Sequence, residues 1–276
     1  MAVKNILCAY NGSGSSDAAL RGCFLMHKQY DAHVTGLLAH GGSQLDERLL
    51  TWIPKSLQQP ILELEQSTNQ KIEEQFFNNA AGAIAANKLH WVSDEGRSNH
   101  TVAEHARMFD LTVMGQFDPL VGHEHLELYP DQVAIMSGRP VLIFPRDWNL
   151  SQIPESAVLA WDGKRTASRA LFDSMQILET KKKIVVLMVD TGKRFPPGNG
   201  LDIKEALNRH GVEVDLVTVK ANGKPVGEVI LDYCDRTNAE LLVMGAYQHS
   251  VFREDLVGGV TNTIITQAAL PVLLSH

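Results

Sequence analysis

The sequence predicts an α/β protein built from two doubly wound, mostly parallel five-stranded sheets, with helices on both faces of each. Three observations carry that expectation. Short apolar runs end at glycine, as in Leu111-Thr-Val-Met-Gly115 and Leu241-Leu-Val-Met-Gly245. Runs that are apolar throughout mark strands buried on both faces, which is the habit of parallel sheets. Segments with helical spacing lie between such runs, and strand–helix alternation favours a parallel sheet. Finally, the pattern occurs twice. Asn5-Ile-Leu-Cys-Ala-Tyr-Asn-Gly12 has its counterpart in Ala157-Val-Leu-Ala-Trp-Asp-Gly163. Gly138-Arg-Pro-Val-Leu-Ile-Phe-Pro145 has its own in Ala269-Leu-Pro-Val-Leu-Leu-Ser275. An offset of roughly 130–150 residues is far too long for a solenoid repeat and indicates a duplicated domain. Residues 1–146 and 156–276 are therefore expected as two domains related by a pseudo-two-fold axis. The polar stretch between them, with Pro154, is the linker.

The elements follow in order. Residues 4–10 read as the first strand. Asn11-Gly12-Ser13-Gly14-Ser15-Ser16 supplies N-cap candidates for a helix over 17–30, where Ala18, Ala19, Phe24 and Leu25 can pack. A second strand covers 33–39. Gly41-Gly42-Ser43 opens a long connection to a helix over 61–87, rich in Glu, Gln and Ala. Then come a strand at 89–92, a helix at 101–109, a strand at 111–114, a short helix at 133–137 and a strand at 140–144. In the second half, strands are expected at 157–161, 183–189, 212–219, 241–244 and 271–274. Helices are expected at 167–178, 201–210 and 260–270, and Lys224-Pro-Val-Gly227 leads into another through Thr237. Phe195-Pro-Pro-Gly-Asn-Gly200 is a turn-rich loop.

Bulk properties narrow the function. A net charge of −7 over 276 residues argues against general nucleic-acid binding and against docking on an anionic membrane. No apolar run reaches the roughly 18 residues that span a bilayer. The N-terminal residues show no basic region followed by an apolar stretch, so no secretory signal is expected. Three cysteines, Cys8, Cys23 and Cys234, lack metal-ligand spacing. Cys8 and Cys234 sit among apolar residues and read as core. A reducing, cytoplasmic setting is expected.

The stretch 241–275 is the most suggestive. A buried strand ends at Gly245, a loop closes at Gly258-Gly259, and a helix starts at Val260. Glycines at both ends of such a loop let backbone N–H groups face an anion, and the helix N-terminus adds its positive end. In doubly wound sheets ligands bind beyond the strand C-termini, where Asn11, Gly115, Asp162 and Gly245 all fall.

On these residues both halves resemble the universal stress protein domain, and the whole resembles a tandem member of that UspA-like family. The resemblance is stronger in the second half. It implies an adenine nucleotide α-hydrolase-like fold and a role in the stress response. Nucleotide-binding members carry Gly, two residues, Gly, nine residues, then Gly followed by Ser, Thr or Asn. Here Gly245 and Gly258 are in place, Gln248 stands at the middle glycine, and Gly259 stands at the final position. The family's Asp near the adenosine corresponds to Asp162, and Met188 and Val189 would line the adenine pocket. The resemblance thus implies ATP, with Mg²⁺, in the second half on Asp162, Val189, Gly245, Gln248, His249, Gly258, Gly259, Val260 and Thr261. Ser250 and Arg253 are further candidates for anionic oxygens. Gln248 counts against binding, because Gln adopts positive φ poorly.

The first half departs further. Asn11 replaces the Asp, Asp118 replaces the middle glycine, and residues 119–130 hold no Gly pair. Asp118, Glu124, Glu127 and Asp131 would repel a triphosphate unless a metal lay between them. That site is expected to be degenerate. The family also pairs the last strand of each domain with a partner's. Residues 140–144 and 271–274 are therefore expected to pair within this chain, as an internal dimer; a protein partner or homodimer is left open. The expected function is a stress-response regulatory protein binding an adenine nucleotide. An interaction or scaffold protein with two decayed sites is the alternative, and a weak ATPase the third. No residue presents itself as a base, so no catalytic residue and no metal site are assigned.

Other signals have plainer explanations. Ser13-Gly14-Ser15-Ser16-Asp17 partly resembles the pyrophosphate loop of ATP pyrophosphatases, but serves equally as a helix N-cap. His90, His100 and His105 are expected on a strand, a loop and a helix, which makes no metal site. His123 and His125 beside Glu124 and Glu127 suit either a metal or a polar loop. Glu63, Glu65, Glu73 and Glu74 read as a solvated helix face. Trp52, Ile53, Leu57 and Ile61 read as domain packing, or as an apolar groove.

Overall fold

The computed structural model describes residues 3–40, 54–120, 123–149, 152–192, 202–247 and 259–276. Among them, ten strands form one sheet: β1 (Asn5–Ala9), β2 (His33–His40), β3 (Leu89–Glu95), β4 (Leu111–Gly115), β5 (Val141–Phe144), β6 (Ser156–Ala160), β7 (Lys183–Asp190), β8 (Asp215–Lys220), β9 (Leu242–Gly245) and β10 (Val272–Ser275). The order is β3-β2-β1-β4-β5-β10-β9-β6-β7-β8. Each half has the same internal order, and its strands are parallel. The halves meet where β5 and β10 pair antiparallel, with Leu142 opposite Leu273. The two expected five-stranded units are thus halves of one continuous sheet. Each covers one edge of the other, whose unpaired backbone N–H and C=O groups would otherwise face water, and β3 and β8 are left as the outer edges.

Eight helices among the described residues connect the strands: α1 (Gly14–Tyr30), α2 (Lys55–Ala80), α3 (Ser98–Ala106), α4 (Pro130–Ser137), α5 (Arg165–Leu178), α6 (Ile203–Asn208), α7 (Val226–Thr237) and α8 (Val260–Gln267). Strand side chains alternate between two cores. Ile6, Cys8, Val113, Leu142, Leu159, Val243 and Leu273 face α1, α2, α5 and α6. Leu7, Ala9, Met114, Ile143, Val158, Leu242 and Val272 face α3, α4, α7 and α8. This two-sided burial explains why the central strands read as unbroken apolar runs. The cysteines Cys8, Cys23 and Cys234 are buried thiols, as Cys8 and Cys234 were expected to be.

Several boundaries differ from the pattern-based ones. α1 starts at Gly14 because Ser13 caps it, its Oγ accepting from the Ser16 amide at 3.1 Å. α2 begins before Pro60, which it contains, and stops at Ala80 rather than 87. Gly82, at φ +76°, turns the chain there. α8 ends at Gln267, not 270, because Ala268 is already extended (ψ 130°) on the approach to Pro271. His100 lies within α3, not in a loop. The helix before β8 is only Ile203–Asn208, and Gly211 at φ +75° follows it. Trp52 and Ile53 lie outside the described residues, as do the side chains of Leu57 and Ile61.

Candidate functional site

In the second half, β6 runs out at Ala160 and the chain turns through Trp161, Asp162 and Gly163, the glycine at φ +74°. The Asp162 carboxylate accepts from the Lys164 amide at 3.0 Å and lies 3.7 Å from Lys164 Nζ. That is a turn closed by an Asp side chain onto the backbone two residues on. β7 ends beside it with half-buried Met188 and Val189. β9 ends at Gly245. A Cβ there would sit 2.6 Å from the Thr166 carbonyl oxygen and 2.6 Å from the Ala167 amide nitrogen. The first turn of α5 therefore rests directly on Gly245. Gly115 in the first half has the same relation to Ser15, whose Cβ would be 2.7 Å away. Packing alone therefore demands glycine at both strand ends, with or without a phosphate.

Beyond Gly245, Ala246 is buried and Tyr247 adopts φ +33°, unusual for a bulky residue. The Tyr247 amide donates to Thr261 Oγ1 at 3.2 Å, and its hydroxyl donates to Asp131 Oδ2 at 2.8 Å. Burial, and then this hydrogen bond to Asp131, push the Tyr247 hydroxyl well above the usual phenol range. α8 starts with Gly259 at its N-cap, where no described side chain caps the helix, followed by half-buried Val260 and buried Thr261. Its N-terminal N–H groups are the kind that bind an anion. Asp162, Val189, Gly245, Gly259, Val260 and Thr261 thus gather at the C-terminal edge of the second half-sheet. Gln248, His249 and Gly258, with Ser250 and Arg253, lie outside the described residues.

The corresponding crevice in the first half is closed by the chain itself. Leu126, 1% exposed, lies over the strand ends, and the Asn11 side-chain amide donates to its carbonyl at 3.0 Å. Ser13 donates to Asn11 Oδ1 through both its amide, at 3.2 Å, and its hydroxyl, at 2.7 Å. Ser98 donates to the His125 carbonyl, and the Tyr129 amide donates to Asn99 Oδ1. The carboxylates expected to repel an anion are engaged by the protein itself. Asp118 pairs with Arg146 at 3.0 Å, Glu127 accepts from the Leu120 amide and the Tyr129 hydroxyl, and Asp131 accepts from Tyr247.

The histidines are dispersed. His123 and His125 lie with ring centroids 6.0 Å apart, and burial holds His125 below the usual imidazole range. His105 bonds Asp94 at 2.7 Å, which lowers that carboxyl, while His33 stacks on His90. No group of three or more His, Cys, Asp or Glu among the described residues could hold a metal ion. A surface cavity of about 650 Å³ lies at the N-terminal ends of β7 and β8, lined by Lys182, Lys204, Asn208 and Glu213 among others. That is the end of the sheet away from the candidate site.

The sequence singled out Asp131 only as a repelling charge and gave no sign of its partner, Tyr247. Tyr247 occupies one of the two spacer positions of the glycine motif, and nothing in a spacer signals a contact 116 positions away. The sequence was equally silent on the polar knot in which Tyr10, Gln75 and Asn79 all bond Asp17.

Residues 157–276 match the universal stress protein family. No curated protein matches the chain in sequence. Among solved structures, a universal stress protein from Archaeoglobus fulgidus DSM 4304 superposes with a TM-score of 0.74 at 17% identity, over 98% of this chain and 95% of that one. A functionally unknown protein from Pseudomonas aeruginosa PAO1 gives a TM-score of 0.55 at 13% identity, over 99% and 92% of the respective chains. At such identities the likeness is one of fold. No helix among the described residues is long and apolar enough to cross a membrane.

Proposed function

We propose that this chain, whose residues 157–276 match the universal stress protein family, is a stress-response regulatory protein that binds an adenine nucleotide in its second half. We read it as two domains, 1–146 and 156–276, of which only the second keeps a usable crevice, and we place it in the cytoplasm. One observation carries the nucleotide assignment: the residues that follow β9 meet, through Tyr247 and Thr261, an α8 N-terminus that no described side chain caps. That end of α8 suits phosphate. Asp162 stands on the adenosine side, and Met188 and Val189 provide an apolar wall for adenine. Gly258, Gly259 and Thr261, with Gln248 and His249, would complete the phosphate side, and Mg²⁺ would accompany ATP. The test is calorimetric titration of the whole chain with ATP and Mg²⁺, together with mass spectrometry of any nucleotide released from the purified protein. Binding near one nucleotide per chain is expected. No heat and no nucleotide would overturn the assignment.

The closed first-half crevice favours a second reading, in which the chain is an interaction or scaffold protein. In that case the titration stays silent. Weak hydrolysis of ATP is the remaining reading, and no described side chain stands out as its base.

A further inference from the structure

The contact between Tyr247 and Asp131 joins the second half's candidate site to the first half. Tyr247 follows the end of β9 and belongs to the second half. Asp131 is the second residue of α4 and belongs to the first. Their hydrogen bond is 2.8 Å long and partly buried. An N-terminal helix position favours a carboxylate, so Asp131 is well placed as an acceptor.

The same tyrosine donates its amide to Thr261, at the start of α8. Tyr247 also holds φ +33°, a conformation that a bulky residue keeps only when its surroundings over-determine it. The far end of α8 is fixed from the first half too, because Gln116 Nε2 donates to the Ala268 carbonyl at 2.9 Å. The helix whose N-terminus would meet phosphate is therefore tied to the first half at both ends.

The pseudo-symmetry is broken here. Phe117, the counterpart of Tyr247, has no hydroxyl and stacks on Tyr129 with centroids 4.7 Å apart. Asp131 stands where the second half has Thr261. The link therefore runs from the first half to the second, and the first half's own crevice is closed.

We infer that Asp131 is a positioning residue for the second half's nucleotide site, acting through Tyr247. This rests on the nucleotide assignment above. The experiment is calorimetric titration of the full-length chain with ATP and Mg²⁺, using Asp131→Ala, Asp131→Asn, Tyr247→Phe and the Asp131→Ala/Tyr247→Phe double variant. Each is first checked for an intact cooperative thermal transition. Asp131→Ala and Tyr247→Phe should each weaken ATP about five- to tenfold, the scale of one ordinary hydrogen bond lost. The double variant should lose no more than either single one, because both remove the same bond. Asp131→Asn should restore most of the affinity, since its amide oxygen still accepts. If the unmodified chain binds ATP and the variants bind equally well, the inference is overturned and the nucleotide assignment stands. Additive losses in the double variant overturn it as well. If the unmodified chain binds no ATP, both fall.

Discussion

Leu142 and Leu273 face each other across the antiparallel junction of β5 and β10, and each is the other's counterpart in the repeat. The pseudo-two-fold axis therefore passes between them. Both are buried, at 4% and 0% exposure, in the same core. Shortening either side chain opens a cavity at the junction of the two halves. Leu273→Ala and Leu142→Ala should each cost about 2–4 kcal/mol in urea unfolding. Because the residues touch, the double variant should depart from the sum of the two. Strict additivity would show that the junction relaxes independently on its two sides.

Two glycines separate packing from ligand binding. Gly245→Ala drives a methyl group into the backbone of Thr166 and Ala167, and should destabilise the fold by about 2–3 kcal/mol. No described residue lies within 4 Å of where a Cβ on Gly259 would stand, and its φ is an ordinary −68°. Gly259→Ala should leave thermal stability within about 0.5 kcal/mol. If the α8 N-terminus receives phosphate, the same change should weaken ATP in calorimetry, because a methyl group stands beside the N–H groups that bind it.

Asn11 tests whether the first crevice can be reopened by the residue that the second half carries there, Asp162. Asn11→Asp replaces the donor to the Leu126 carbonyl with an acceptor, so two oxygens confront each other in a buried place. A loss of about 1–3 kcal/mol is expected in chemical denaturation. No second ATP site should appear in titration, because Leu126 still fills the crevice. A second equivalent of ATP bound by this variant would contradict the described closure.

Lys181 gives the stability curve an alkaline slope. Its ammonium donates to the Pro154 carbonyl at 2.7 Å, and burial lowers its pKa from 10.5 to about 8. Between those two values the unfolded chain holds the proton more tightly than the folded one. Stability therefore rises with pH across that window, and below about 8 the cost of burying the charge is fully present. Lys181→Met should flatten this rise. Unfolding midpoints measured from pH 7 to 10.5 in both proteins check it.

Much of the fold could be read from the residues. The strands at 111–115 and 242–245 were visible because a strand covered on both faces must be apolar at every position. Ser13 was recognisable as a cap because that chemistry is local. α2 was misjudged at both ends, since Glu- and Gln-rich sequence propagates helix in either direction while a single positive-φ glycine at 82 ends it. Asp118, Glu127 and Asp131 looked like unpartnered charge because their partners, Arg146, Tyr129 and Tyr247, are set by the fold.

The sequence alone determined the duplicated α/β pattern and the asymmetry between Asp162 and Asn11. These rest on periodicity and on residue type, which are properties of the chain itself. Only the tertiary structure decided that Gly245 is glycine because α5 rests on it. It alone showed that Leu126 closes the first crevice, and that Asp131 reaches across to Tyr247. Each of these depends on distances between residues far apart in sequence, and those distances exist only once the ten strands have formed one sheet.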